Sequence, residues 1–88
     1  MNGEMRILLV EDNPGDARLI QEMLSERADT SAYSLEHHES LKDCLDSTDR
    51  STHTLILLDL GLPDSQGIET FRSVFREVRD APIVILSG

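Results

Sequence analysis

The chain has one cysteine, few basic residues and no long apolar run, and each shortage excludes a class of protein. Cys44 is the only cysteine among 88 residues. An internal disulfide and a cysteine-based zinc site are therefore excluded, which suits a reducing compartment. The 8 lysines and arginines are outnumbered by 17 aspartates and glutamates, and the net charge is −9. Because this charge repels nucleic-acid backbones and anionic lipid, we expect no direct binding to DNA or RNA.

The apolar runs are too short for a secretory signal or a membrane span. The first run, Ile7–Val10, has only four residues and is followed directly by Glu11 and Asp12. A signal peptide needs a longer apolar segment, and a membrane-spanning helix needs about 20 apolar residues. We therefore expect a cytoplasmic protein that does not associate with membranes.

Four segments predict strands. Ile7–Val10, Leu55–Leu58 and Ile83–Leu86 are continuous apolar runs bounded by polar or turn-forming residues. Such runs fit strands that are covered on both faces, as in a parallel sheet. Tyr33–His38 instead alternates its side chains, which predicts a strand at the sheet edge with one face less covered.

Three segments between these strands have helical spacing. Asn13 is placed to cap the first helix, Asp16 to reach back to that cap, and Ser40 to cap the second helix. The predicted helices are Pro14–Ala28, Leu41–Ser47 and Gly67–Val78. Apolar side chains spaced by three and four residues predict the buried stripes of the first and third helices. These are Ala17, Ile20, Met23, Leu24 and Ala28 in the first, and Ile68, Phe71, Phe75 and Val78 in the third.

Strands and helices thus alternate along the whole chain. Their short connections fit repeated right-handed βαβ units, so the sequence predicts a parallel α/β sheet. No internal repeat or linker is visible, and residues 1–88 are predicted to form one domain.

Polar side chains follow three of the predicted strands, and in a parallel sheet these positions meet at one edge. Glu11 and Asp12 follow the first strand, Asp59 ends the third and Ser87 follows the fourth. Clustered carboxylates need a cation, and Mg²⁺ prefers oxygen ligands. We predict a magnesium site at Asp12 and Asp59, completed by the backbone carbonyl of Gly61. Asp59 would then attack phosphorus, and the Ser87 hydroxyl would hydrogen-bond a phosphoryl oxygen.

Three segments resemble the leading signatures of response-regulator receiver domains. They are Ile7–Asp16 (ILLVEDNPGD), Leu57–Gly67 (LLDLGLPDSQG) and Ala81–Gly88 (APIVILSG). The resemblance implies a flavodoxin-like, doubly wound parallel sheet with strand order 2-1-3-4.

The resemblance also implies a role for each residue at the strand ends. Glu11 and Asp12 would be the acidic pair that binds Mg²⁺, Asp59 the phosphoacceptor and Ser87 the switch hydroxyl. The implied phosphodonor is a histidine kinase or a phosphotransfer protein. Such a domain assists its own phosphoryl transfer and dephosphorylation and relays a signal by conformational switching, but it is not a dedicated enzyme.

One departure from the family concerns the C-terminal part. Receiver domains continue through a fourth helix, a fifth strand with a lysine at the site, and a fifth helix. The only lysine here is Lys42, in the predicted second helix. We therefore expect residues 1–88 to be a C-terminally incomplete receiver, lacking the fifth strand and the last two helices. Its uncovered fourth strand predicts self-association.

Three other functions would use some of the same residues. A phosphohydrolase resembling the haloacid dehalogenases needs a second acid two residues after the nucleophile, but position 61 is glycine. A pseudo-receiver, which binds proteins without phosphorylation, stays open, although the acid pair and Asp59 are intact. His37 and His38 are not expected to donate phosphate because they fall in a strand, whereas donor histidines lie on exposed helices.

Overall fold

The structure is a computed structural model that describes residues 5–27, 33–47, 54–78 and 81–86. Its elements, in chain order, are β1 (Met5–Val10), α1 (Pro14–Arg27), β2 (Tyr33–His38), α2 (Leu41–Ser47), β3 (Leu55–Asp59), β4 (Gly61–Leu62), β5 (Ser65–Gln66), α3 (Ile68–Glu77) and β6 (Ile83–Leu86). The four longer strands form a parallel sheet in the order β2-β1-β3-β6. Because β6 is the fourth strand of this sheet, the predicted 2-1-3-4 order and the edge position of β2 are confirmed.

The sheet is covered on both faces, as the continuous apolar runs predict. Residues of β1 and β3 alternate between two core clusters because successive side chains point to opposite faces. One face packs against α1 and buries Ile7, Leu9, Ala17 and Leu57. The other packs against α2 and α3 and buries Leu8, Val10, Cys44, Ile56, Leu58, Leu62, Val74 and Val78. The apolar centre of the domain therefore lies in β1 and β3, the strands that carry the acidic residues.

Helix α1 begins where the sequence predicts, but one side chain of its predicted buried stripe, Met23, is exposed to solvent. The Asn13 side chain accepts a hydrogen bond from the Asp16 amide at 3.0 Å and so caps the helix. Ala17 is buried, and Ile20 and Leu24 pack against the core. Met23 was predicted to be buried, but it is 57% exposed. The surface that α1 packs against the sheet is therefore narrower than its apolar stripe. Ala28, the last residue of the predicted stripe, lies outside the described residues.

Helix α3 is rotated relative to the prediction. Thr70, Val74 and Val78 are buried, whereas Ile68 is 58% and Phe75 is 51% exposed. The predicted stripe was therefore wrong at Ile68 and Phe75 and correct at Val78. The helix has apolar residues on two adjacent faces, and packing against the sheet decides which face is buried.

This rotation can be tested by truncating side chains on α3. Val74→Ala should lower the free energy of unfolding by about 2–3 kcal/mol, because it removes two buried methyl groups and leaves a cavity. Phe75→Ala should cost less, since the ring is half exposed and stacks on Phe71 with ring centroids 5.6 Å apart. Urea denaturation measures both effects. A larger loss for Phe75→Ala would contradict the observed orientation of α3.

Strand β6 lies at the outer end of the described sheet and leaves apolar side chains accessible. Val84 is 45% and Ile85 is 44% exposed. An exposed strand edge can pair with another chain, so self-association through β6 stays a prediction. Within the described ranges, no helix is both long and apolar enough to cross a bilayer.

Candidate functional site

Two buried carboxylates meet at the C-terminal edge of the sheet because of the register between β1 and β3. Val10 pairs with Leu58, so the next residues, Glu11 and Asp59, lie side by side. Glu11 is only 5% exposed and Asp59 only 8% exposed. Buried carboxylates are uncommon unless they are paired, hydrogen-bonded or bound to a metal. The convergence predicted for Glu11 and Asp59 is therefore present.

Asp12 completes a three-carboxylate cluster with a geometry suited to a small cation. One oxygen from each of Glu11, Asp12 and Asp59 lies within 4.8 Å of the others. Two ligands of one Mg²⁺ ion are at most about 4.2 Å apart, because each lies about 2.1 Å from the metal. The three oxygens are thus about as close together as the ligands of one such ion, and all of them are carboxylate oxygens. These residues fit a bound Mg²⁺.

The carboxyl group of Glu11 has a raised pKa. Burial, helped by the hydrogen bond and the negative charge of Asp59, raises the pKa of its carboxyl group from 4.5 to about 7. The Asn13 amide, which donates to Glu11 Oε2 at 3.2 Å, opposes this shift. The side chain of Asp16 was predicted to accept a hydrogen bond from the Asn13 amide. This prediction was wrong, because the Asn13 amide donates to the Glu11 carboxylate instead. Glu11 thus shapes the turn that carries Asp12 as well as facing Asp59.

Asp59 is oriented by the chain that follows it. The Gly61 amide donates a hydrogen bond to Asp59 Oδ1 at 2.9 Å. The chain then forms the two-residue strands β4 and β5, which pair in an antiparallel hairpin. The Gly67 amide closes this hairpin by donating a hydrogen bond to the Leu60 carbonyl at 2.9 Å. This hairpin was not predicted. It forms one wall of an open cavity of about 570 Å³ lined by Asp59, Leu60, Gly61, Gln66, Gly67, Ile85 and Leu86.

Asp64, at the turn of this hairpin, caps helix α2. Its two carboxylate oxygens accept hydrogen bonds from the Leu41 and Lys42 amides, each at 2.8 Å. These bonds lower the pKa of Asp64. Ser40, the predicted cap, also bonds to the Asp43 amide at 3.1 Å. Sequence reasoning missed Asp64 because 22 or more residues separate it from the amides it caps.

Gly67 closes the hairpin in a conformation that other residues rarely adopt. Its φ is 65° and its ψ is −142°. Gly67→Ala should lower the free energy of unfolding by roughly 1–3 kcal/mol through backbone strain, since an added Cβ would meet no atom within 4 Å. Gly61→Ala is a matched control, because its Cβ would make only an ordinary contact, 3.8 Å from Asp59 Oδ1. Equal denaturation midpoints for the two variants would contradict this.

The other predicted site positions are only partly placed. Leu86 pairs with Asp59, so β6 ends at the same edge, but Ser87 lies outside the described residues. The Gly61 amide donates a hydrogen bond to Asp59. The role of the Gly61 carbonyl as a metal ligand stays a prediction. His37 and His38 lie in β2 as predicted.

Comparison with known proteins agrees with this arrangement. The family model described as the response regulator receiver domain matches residues 7–88. The cell cycle transcriptional regulator CtrA of Caulobacter vibrioides is 38% identical over 84 residues, which cover 96% of this chain and 35% of CtrA. The chain therefore spans about a third of the length of that curated relative.

Solved receiver structures share the fold. The phosphorylated cyanobacterial phytochrome response regulator RcpA is 32% identical, with a TM-score of 0.78 over 97% of this chain and 66% of that one. The response regulator TrrA of Thermotoga maritima, in complex with Mg²⁺ and BeF, is 27% identical, with a TM-score of 0.75 over 92% of this chain and 67% of that one. TrrA in complex with the histidine kinase ThkA gives a TM-score of 0.77 at 27% identity, over 96% of this chain and 69% of that one.

Proposed function

This chain belongs to the response-regulator receiver-domain family, and we propose that it accepts a phosphoryl group on Asp59 in a histidine-to-aspartate phosphorelay. The observation that carries this proposal is the cluster of Glu11, Asp12 and Asp59 oxygens within 4.8 Å, next to an open cavity. Two related structures support it, since RcpA is phosphorylated and TrrA holds Mg²⁺ and BeF.

In the proposed reaction, an oxygen of the Asp59 carboxylate attacks the phosphorus atom of a phosphohistidine. A P–O bond to Asp59 forms while the P–N bond to imidazole breaks, and the nitrogen takes up a proton. The hydrogen bond from the Gly61 amide orients the Asp59 carboxylate for this attack. The adjacent cavity leaves room for the phosphoryl group. Positioning of this kind supplies much of the rate enhancement in phosphoryl transfer.

Three carboxylates beside an incoming phosphoryl group would repel it strongly. Mg²⁺, when bound, offsets this negative charge on both the protein and the phosphoryl oxygens. Asp12 and Asp59 would hold the ion directly, with Glu11 beside them and the Gly61 carbonyl as a further ligand. The Ser87 hydroxyl is proposed to bond a phosphoryl oxygen and to transmit the conformational switch.

The partners follow from the same chemistry. We propose a histidine kinase or a phosphotransfer protein as donor, consistent with the complex between TrrA and the histidine kinase ThkA. Receiver domains are generally not dedicated enzymes, and we propose the same of residues 1–88, acting as one receiver unit in the cytoplasm. The net charge of −9 argues against direct nucleic-acid binding by these residues.

A pseudo-receiver that binds proteins without phosphorylation is the alternative function. Phos-tag electrophoresis after incubation with acetyl phosphate separates the two. The proposal predicts a retarded band that forms when Mg²⁺ is present in the incubation and does not form when EDTA is included from the start. The pseudo-receiver predicts the same mobility with and without Mg²⁺, and that result would overturn the proposal.

A further inference from the structure

The imidazole ring of His37 contacts the backbone next to the acidic pair. His37 is the fifth residue of β2, and its Nε2 lies 2.9 Å from the Glu11 carbonyl oxygen. A carbonyl oxygen can only accept a hydrogen bond, so Nε2 must carry the proton and donate it. The ring therefore makes a directed contact with the turn that follows β1.

Strand β2 forms hydrogen bonds with both backbone groups of Glu11, its amide and its carbonyl. The Glu11 amide donates to the His38 carbonyl at 3.0 Å, while the Glu11 carbonyl accepts from the His37 ring. The first bond continues the pairing of β1 with β2, but the second comes from a side chain. Most residue types at position 37 would keep the first bond and lose the second.

Asp12 lies between two peptide groups that are held in this way. The peptide before it is fixed by His37 at the Glu11 carbonyl, and the peptide after it is fixed where the Asn13 amide donates to Glu11 Oε2 at 3.2 Å. In the described part of the chain, no hydrogen bond reaches the Asp12 carboxylate itself. The direction of its Cα–Cβ bond is set by the two peptide groups that are fixed on its two sides.

We propose that His37 is a positioning residue that orients Asp12 for cation binding, acting through the Glu11 carbonyl. This inference rests on the proposed function of the carboxylate cluster. Groups that orient metal ligands from outside the coordination sphere typically contribute 10- to 100-fold to metal affinity. His37 does this through the backbone of the preceding residue, which leaves the carboxylate free to bind the ion.

Two substitutions of similar shape isolate the hydrogen bond. The side-chain nitrogen of glutamine is three bonds from Cβ, as is the histidine Nε2, so glutamine can donate the same hydrogen bond. Methionine has a side chain of the same length but no donor. His37→Met should raise the Kd for Mg²⁺ by roughly 10-fold, and His37→Gln should stay within about threefold of the wild type. His38→Met is the matched control, because the His38 ring bonds to Glu36 at 2.7 Å and, among the described residues, the hydrogen bond from His38 to the turn is made by its backbone carbonyl.

The measurement is an NMR titration of the Asp12 and Asn13 amides with Mg²⁺, with urea denaturation of each variant in parallel. An unchanged Kd in folded His37→Met would overturn the inference, because a purely structural histidine would change stability alone. If His37→Met does not fold, His37→Asn, whose amide is one bond too short, takes its place and should weaken binding equally. Failure of the wild-type chain to bind Mg²⁺ would instead refute the proposed function and the inference with it.

Discussion

Replacing Asp59 with asparagine is expected to abolish phosphoryl transfer to this chain. The amide of asparagine is a poor nucleophile, and the substitution removes one of the three charges that would hold the cation. Intact-mass spectrometry after incubation with acetyl phosphate and Mg²⁺ should show one added phosphoryl group in the wild type and none in Asp59→Asn. The loss should be complete because no other described carboxylate combines these features of Asp59: burial at the strand end, the Gly61 hydrogen bond and an adjacent open cavity.

Asp46→Asn is the matched control for this experiment. Asp46 lies on α2 and bonds to Lys42 Nζ at 2.6 Å on the surface, and exposed pairs of this kind contribute little to stability. The control should take up phosphate like the wild type. Equal uptake by Asp59→Asn would place the acceptor elsewhere in the chain.

Magnesium affinity is expected to fall steeply below neutral pH. Burial and the neighbouring Asp59 raise the pKa of Glu11 to about 7, so below this pH the metal-free site carries a proton. Mg²⁺ favours the deprotonated carboxylates, so that proton must be released when the ion binds. Because a group with a pKa of about 7 is half protonated at pH 7 and almost fully protonated at pH 5, the Kd should rise by roughly 50-fold between these two pH values. Above pH 7 the affinity should level off.

Glu11→Gln provides the control for this pH dependence, because glutamine does not titrate. The NMR titration repeated from pH 5 to pH 8 should give a much flatter profile for this variant than for the wild type. A wild-type Kd that stays constant from pH 5 to pH 7 would contradict the protonation of Glu11.

The features that could be predicted from sequence are those set by local pattern. The continuous apolar runs identified β1, β3 and β6 because a strand buried on both faces has no polar alternation. The Asn13 and Ser40 caps were predicted because each bonds an amide three residues ahead. The meeting of Glu11 and Asp59 follows from parallel pairing alone.

The features that could not be predicted depend on tertiary contacts. The exposure of Met23 and Phe75 was missed because both helices have apolar side chains beyond the face that packs on the sheet. The Asp64 cap and the His37 hydrogen bond join residues that are more than 20 positions apart. No local pattern predicts such pairs, because each depends on how a loop lies against its neighbour once the sheet has formed.

The most direct test of the central claim is to locate the phosphoryl group chemically. Borohydride reduces an aspartyl phosphate to homoserine, so treatment of the phosphorylated chain followed by peptide mass spectrometry identifies the modified residue. If Asp59 is the phosphoacceptor, homoserine appears at position 59 and only when Mg²⁺ is present during phosphorylation. Homoserine at another aspartate, or none at any position in a chain that binds Mg²⁺, would contradict it.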